Sequence, residues 1–519
     1  MSVGGGNQQG GSTHPLKIFA SIFISFIGAG VLGLPFAFKE AGIIEGAIIM
    51  SFVGVISVKA MLLIIDCKYQ ILEKRKSKKG YGNSSSVDED GLTRSKAEVT
   101  DLLKGEGALV IRVKDPPMLQ TSDLTYGDVG YEALGHTGRF LVDLAIVVSQ
   151  TGFCCAYLIF ISENLSDYFK GMRIGHWLLI LLPPLCLLTL LRHLSSLSIS
   201  SLMAQCSNLM AFAVVFWFDF EHLNNIEYCN EAGHMVPSHK CLDEVFRIHP
   251  KNMSVRGFPF FLAIAIYCYE GAGMILSLES SLAVEVRHKF RKFFITTMCI
   301  VTTLYISFGA CGYLSFGPET NQIITLNLPK GQSIDFSMIV KSFLCIALYC
   351  TYPVMMFPVM KILERYTITD ADKNYLKGNI LRACMVLCTG VVVLMIPNFA
   401  NLMALVGASC CTLLAFILPG IFHLRIFSQS LSLSQKVTDW SLIAIGVIGT
   451  LIGTIDAINR LYSNESTERP ALTISTLTTT VANATSSVLS TTTTTTISST
   501  TLSSVVNNVT KALKNPGLH

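Results

Sequence analysis

Glu270 is a carboxyl group set near the middle of an apolar segment, residues 258–282, within the run Tyr269-Glu270-Gly271-Ala272-Gly273. A carboxylate surrounded by hydrocarbon is costly to ionise without a partner, so such a group can take up and release a proton as its surroundings alternate. A second apolar segment, residues 16–38, is interrupted near its midpoint by Gly28-Ala29-Gly30. Where a helix opens at such glycines, the following half presents unpaired N–H groups and a partial positive charge, and the preceding half presents carbonyls. Two crossed openings at one depth supply donors for a carboxylate and acceptors for an ammonium, the two charged groups of a zwitterion, leaving side chains to select the rest of the ligand. Glycines also let membrane helices pack closely, and a buried Glu can simply pin a broken helix. Two central breaks, five spans apart, favour the binding reading.

The segments that must position these residues are membrane spans. Hydrophobic residues make up 51% of the chain and charged residues 14%, mean hydropathy is +0.52, and apolar runs of about 20 residues recur. Eleven spans are expected, at residues 16–38, 43–66, 140–161, 175–191, 194–220, 258–282, 294–316, 336–363, 378–396, 399–422 and 440–461. Hydrocarbon offers no water to a freed peptide group, so a break at mid-depth must face protein, water or ligand. A repeat displaced by five spans, an odd number, places its two copies in opposite orientation, the inverted-repeat plan used for alternating access.

Basic residues set the expected orientation. Lys68, Lys74, Arg75, Lys76, Lys78 and Lys79 follow the second span, and Arg287, Lys289, Arg291 and Lys292 follow the sixth. The positive-inside rule makes both connections cytosolic, with the N-terminus in the cytosol and the C-terminus outside or in a lumen. The sequons at Asn252, Asn464, Asn483 and Asn508 then fall on the non-cytosolic side, where glycosylation occurs. Residues 1–15 read as a disordered cytosolic N-terminus, 16–462 as the transmembrane domain with a cytosolic loop 67–125 and an outer loop 221–256, and 463–519 as a Ser/Thr-rich tail. The first apolar run starts late and is as long as a full span, so it is expected to act as an uncleaved anchor. Residues 126–135 suit a short interfacial helix leading into the third span.

Most of the 16 cysteines lie inside spans, where Cys is a small buried hydrophobe. Cys229 and Cys241 share the outer loop, where a disulfide is permitted. The loop histidines His222, His234 and His239 match no strong zinc spacing, so no metal is expected. Glu279 is placed at the cytosolic end as a gate or helix contact, and Lys341 near the outer end as a side chain that snorkels to the interface.

The run from Gly28 to Lys39, with Tyr269-Glu270-Gly271, Leu278-Glu279, Asn327-Leu328-Pro329, Tyr352-Pro353 and Ile396-Pro397-Asn398-Phe399, resembles the signatures of the amino acid/auxin permease family, especially its proton-coupled and vacuolar transporters. The resemblance runs from about residue 16 to about residue 458. It implies an all-α, LeuT-like integral membrane fold of two inverted five-helix repeats plus an eleventh helix, and secondary transport of small neutral amino acids, commonly with protons. Gly28, Ala29, Gly30 and Val31 match the unwound part of the first helix. Tyr267, Cys268, Glu270, Gly271 and Ala272 match the break in the sixth. Gln150, Thr151 and Tyr157 on the third span and Thr351 on the eighth are further candidates for the same cavity.

Glu270 is the candidate coupling residue. Sodium is the rival coupling ion, since a hard cation wants several oxygen ligands and Thr351 would offer one. The first span, however, supplies only Ser21 and Ser25 before its break and no Asn or Asp, which favours protons. An amino-acid-binding nutrient sensor without flux is the alternative outside the transporter class. No catalytic constellation, nucleotide-binding signature or nucleic-acid-binding feature stands out, so the expected partners are small neutral amino acids and the lipid bilayer, with no cofactor. Glu98-Val99-Thr100-Asp101-Leu102-Leu103 resembles an acidic dileucine sorting signal and Tyr69-Gln70-Ile71-Leu72 a tyrosine-based one, which together tilt the compartment towards an endolysosomal or vacuolar membrane.

Overall fold

The computed structural model describes residues 14–84, 124–169, 172–190, 210, 212–218, 221, 227–229, 235–237, 253–328, 336–368 and 374–468. The chain divides into two compact units, Met1–Arg460 and Leu461–His519. All the elements that build the site lie in the first.

Among the described residues, seven helices are long and apolar enough to cross a membrane. An eighth span is a broken pair. Its first half, α1 (Pro15–Phe26), begins with a proline at the first position, where the missing N–H costs nothing. It ends at Phe26 because Ile27 and Gly28 are extended. A 3-10 turn over Ala29–Gly33 leads into α2 (Leu34–Ala41), and the two halves are bent by 52°.

The second broken segment repeats this design. Helix α7 (Phe258–Cys268) stops where Tyr269 leaves helical geometry, and α8 (Ile275–Ser280) resumes after Met274. Between α2 and α7 run α3 (Ile43–Ser84), α4 (Tyr126–Leu134), α5 (His136–Tyr168) and α6 (Ile174–Thr189). Of the expected fifth span, 194–220, only residues 210 and 212–218 are described, as helix. A two-stranded antiparallel hairpin, β1 (Glu227–Cys229) and β2 (Met235–Pro237), pairs Tyr228 with Val236 in the outer loop.

After α8 come α9 (Phe290–Phe316), α10 (Phe336–Thr367) and α11 (Tyr375–Met395). Helix α12 (Phe399–Val406) passes through wider π turns at Gly407–Cys411 and Leu413–Ile417 into α13 (Leu418–Ile426), and α14 (Leu433–Glu468) follows.

Short α4 sits where the sequence suggests a connecting helix. Thr125 caps it by accepting from the Asp128 N–H, while the Asp128 carboxylate accepts from the Thr125 N–H. This reciprocal cap satisfies two backbone donors that a helix start otherwise leaves bare. Arg139, one turn into α5, pairs with Asp128, so the cap also fixes the angle between α4 and α5.

Two buried ion pairs tie the spans together, Lys68 to Glu279 at 2.6 Å and Arg382 to Glu364 at 2.7 Å, and His423 Nδ1 is hydrogen-bonded to the Asp439 carboxylate at 2.6 Å. A buried charge persists only when paired and hydrogen-bonded. Arg382 accordingly also donates to the carbonyl of Thr189, and Glu279 also accepts from the hydroxyl of Tyr69. Lys341 does not snorkel. It is buried and pairs with Asp167 at 3.0 Å, because a carboxylate on α5 lies within reach before the interface does.

Candidate functional site

The two breaks face each other. A Cβ added at Gly30 would lie 3.1 Å from the Tyr267 ring and 3.1 Å from Cys268 Sγ, so the first opened segment rests directly on the end of α7. Tyr305 on α9 bridges the two from the side. Its hydroxyl donates to the carbonyl of Phe26 at 2.5 Å and lies 3.4 Å from that of Cys268, the last residues of the two half-helices. Those carbonyls are orphaned by the breaks, and Tyr305 takes up both.

Beside this junction is a cavity of about 1170 Å³. Gly28, Ala29, Gly30 and Val31 line it from the first break, and Tyr267, Cys268 and Glu270 from the second. Gln150 and Tyr157 line it from α5, and Thr351 from α10. Three candidate residues do not line it. Thr151 is turned about 100° around α5 from Gln150. Gly271 is covered by Phe26, whose ring would lie 2.5 Å from a Cβ added there, so this glycine serves packing between the breaks and not ligand approach. Ala272 follows Glu270 in the opened segment, where its backbone N–H and that of Gly273 act electrostatically on the Glu270 carboxylate.

Glu270 Oε2 is buried and, among the described residues, has no hydrogen-bond partner. Gln150 Oε1 and the Tyr267 hydroxyl are likewise buried and unpartnered. Unsatisfied groups of this kind are few in native interiors and ask for an explanation. Here three of them border one cavity, as a ligand site requires. Thr351 is different, because its hydroxyl donates back to the Ala347 carbonyl, leaving acceptor capacity only.

The cavity lining also includes a polar end: Lys17 on α1, Tyr126 and Gly127 on α4, Asp143 at the start of α5, and Lys361 and Arg365 at the end of α10. Asp143 accepts from the Tyr366 hydroxyl at 2.9 Å and lies 3.5 Å from Arg365. The basic stretch after the second span lies on the same face: Lys74 donates to the Ile426 carbonyl at the end of α13, and Arg75 pairs with Glu132 on α4.

At the opposite ends of the spans, among the described residues, hydrogen bonds cross between elements. Asn164 lies about 30 Å along α5 from Asp143, and its side chain accepts from Thr325 at 2.8 Å. Lys39 donates to the Thr320 carbonyl at 3.1 Å, and Glu45 accepts from the Ser254 N–H at 2.7 Å.

Phe153 and Tyr305 belong to the site and were not singled out from the sequence. Phe153 was findable, since 150, 153 and 157 fall on one helical face. Tyr305 was not, because its partners are 279 and 37 positions away. The helical stretch from Tyr69 to Leu72 is not a free sorting peptide: Ile71 is buried and the Tyr69 hydroxyl is bound to Glu279. The dileucine-like stretch, Cys241, Asn252, Asn483 and Asn508 lie outside the described residues, while Cys229 and Asn464 are described only in their strand and helix backbone. Among the described residues, no His/Cys/Asp/Glu group is arranged to hold a metal ion.

A multi-pass helical protein with two facing helix breaks that line one cavity has the build of a carrier. The profile of the family described as transmembrane amino acid transporter protein matches residues 11–100 and 108–459, and the chain belongs to that family. Among curated relatives in Arabidopsis thaliana, amino acid transporter AVT3C is 31% identical, covering 86% of this chain and 91% of its own length. Amino acid transporter ANT1 is 29% identical, covering 86% and 93%. Among solved structures, a manganese transporter of Eremococcus coleocola overlays at a TM-score of 0.47 with 11% identity, covering 93% of this chain and 94% of that one. The chain is thus an amino acid transporter by family and not an enzyme.

Proposed function

We propose that the protein moves small neutral amino acids across its membrane by alternating access, coupled to protons through Glu270. The observation that carries this reading is the buried, unpartnered Glu270 Oε2 in the wall of a cavity that both helix breaks line, and we read this cavity as open on the face of Lys361 and Arg365 and closed on that of Asn164 and Thr325. In this reading the N–H groups after the first break meet the substrate carboxylate, and carbonyls at the break meet its ammonium. Glu270 changes protonation as the cavity exchanges faces. Protons are favoured over sodium because the Phe26 carbonyl, an oxygen a cation would want, is already taken by Tyr305. The open face is the cytosolic one if the basic connections set orientation, which makes this an inward-open conformation. The eleven-span, inverted-repeat topology and an endolysosomal or vacuolar location complete the proposal.

The test is uptake of an amino-acid panel by purified protein in proteoliposomes under separately imposed pH and sodium gradients. Accumulation driven by the pH gradient alone is expected. Accumulation that follows only sodium would overturn the coupling, and saturable binding with no flux under any gradient would make the protein a sensor.

A further inference from the structure

We infer that Gln150 and Tyr267 select the substrate's side chain, and that among neutral amino acids the cavity prefers side chains bearing an amide or hydroxyl over aliphatic ones of the same size. This rests on the reading above that the cavity binds an amino acid.

Helix α5 turns Gln150, Phe153 and Tyr157 to the cavity at spacings of three and four residues, so they form one wall. The Phe153 ring meets the Tyr267 ring edge-on at 4.7 Å, which holds the end of α7 against that wall. Two fully buried polar atoms lie there. Gln150, 8% exposed, carries Oε1 as an acceptor, and Tyr267, 4% exposed, carries a hydroxyl donor; neither atom has a partner among the described residues. Apolar groups, among them Val31, Leu348 and Met355, supply much of the remaining lining.

A buried donor or acceptor left unsatisfied is penalised, and the penalty falls on whichever ligand fails to meet it. An aliphatic side chain leaves both atoms unsatisfied. A side-chain amide meets both, its N–H donating to Gln150 Oε1 and its carbonyl accepting from the Tyr267 hydroxyl. A hydroxyl meets at least one. Cationic side chains find no free carboxylate apart from Glu270, since Asp143 is engaged by Tyr366 and Arg365 at the polar end of the cavity.

The experiment is competition binding on the purified full-length protein, using pairs matched in size: glutamine against methionine, and threonine against valine. Wild-type protein should prefer the polar member of each pair by about tenfold or more, the ratio that one hydrogen bond's worth of discrimination gives. Gln150→Met, close in shape but without the acceptor, should bring the glutamine-to-methionine ratio near one while methionine still binds. Tyr267→Phe, which keeps the packing on Phe153, should lower the ratio by a smaller factor, and it decides the matter alone if Gln150→Met does not fold. Equal binding within both pairs by wild type, or ratios unchanged in the variants, would overturn this selection and leave the transporter reading standing. A wild-type protein that binds no amino acid overturns both.

Discussion

The hydroxyl of Tyr305 donates to the carbonyl oxygen of Phe26 at 2.5 Å, tying the middle of α9 to the last residue of α1. The same hydroxyl lies 3.4 Å from the Cys268 carbonyl at the end of α7. One side chain thus serves both broken helices. Its ring also packs against Tyr269, with centroids 5.4 Å apart, so the contact is supported by packing as well as by hydrogen bonding.

Tyr305→Phe keeps the ring and removes the donor. The Phe26 carbonyl is then buried without its partner, a loss of about 1–3 kcal/mol. A lower unfolding temperature in detergent and slower uptake are expected together. Unchanged values of both would show that water satisfies that carbonyl equally well.

The break glycines separate ligand approach from packing. A Cβ added at Gly28 meets nothing within 4 Å, and the residue is extended, so Gly28→Ala should fold normally. Its methyl group would occupy cavity space, and weaker substrate binding at unchanged stability is expected. Gly271→Ala should do the reverse, because its Cβ would run into the Phe26 ring. Measuring thermal stability and binding on both variants checks the division; a destabilised Gly28→Ala would contradict it.

The two interruptions were legible because glycine inside an apolar span conflicts with an unbroken helix, and the conflict is local. The short helix α4 was legible as an element over residues 126–135, while the Thr125 and Asp128 cap that starts it emerges only in the structure. The role of Gly271 was not, since a glycine beside a break reads alike whether a ligand or Phe26 lies over it. Lys341 misled the reading because a lone lysine near a span end suggests water, while its true partner, Asp167, is 174 positions away. Periodicity would have excluded Thr151, which cannot share a helical face with its neighbour Gln150.

Glu279 and Lys68 form a pair in which each side chain is 1% exposed. Removing one partner leaves an uncompensated buried charge, at a cost of about 3–5 kcal/mol. Lys68→Met is therefore expected to lower the yield of folded protein sharply, and Lys68→Met combined with Glu279→Met to recover part of it. A double variant no better than the single one, in size-exclusion and thermal-stability assays, would contradict a simple pairing role.

Asp128 lies outside the long spans, and its titration should be readable in α4. Burial pushes its carboxyl up, but hydrogen bonds from the Thr125 N–H and hydroxyl, with the charges of Arg139 and Arg365, outweigh burial and hold it below its ordinary value. A depressed carboxyl contributes stability above its unfolded value, about 4, and loses it as pH falls through the lower folded value. Hydrogen-exchange protection over residues 124–134, corrected for the intrinsic pH dependence of exchange, should therefore fall on acidification below about pH 4. Asp128→Asn should flatten that response, and a response of the same size in the variant would assign it to another group.

The last prediction separates a proton-carrying Glu270 from one that only pins the broken helix. The amide of glutamine is close in size and shape to the carboxyl and keeps an acceptor oxygen facing the Ala272 and Gly273 backbone, so Glu270→Gln should preserve the local fold. What the amide cannot do is titrate. Uphill accumulation driven by a pH gradient should collapse, while substrate binding and tracer exchange, which need the cavity but no completed proton cycle, should survive better. A purely structural Glu predicts that binding and every transport mode fall together or that none changes. Both modes measured on one purified variant distinguish these cases, and undiminished pH-driven accumulation by Glu270→Gln would rule out the coupling role.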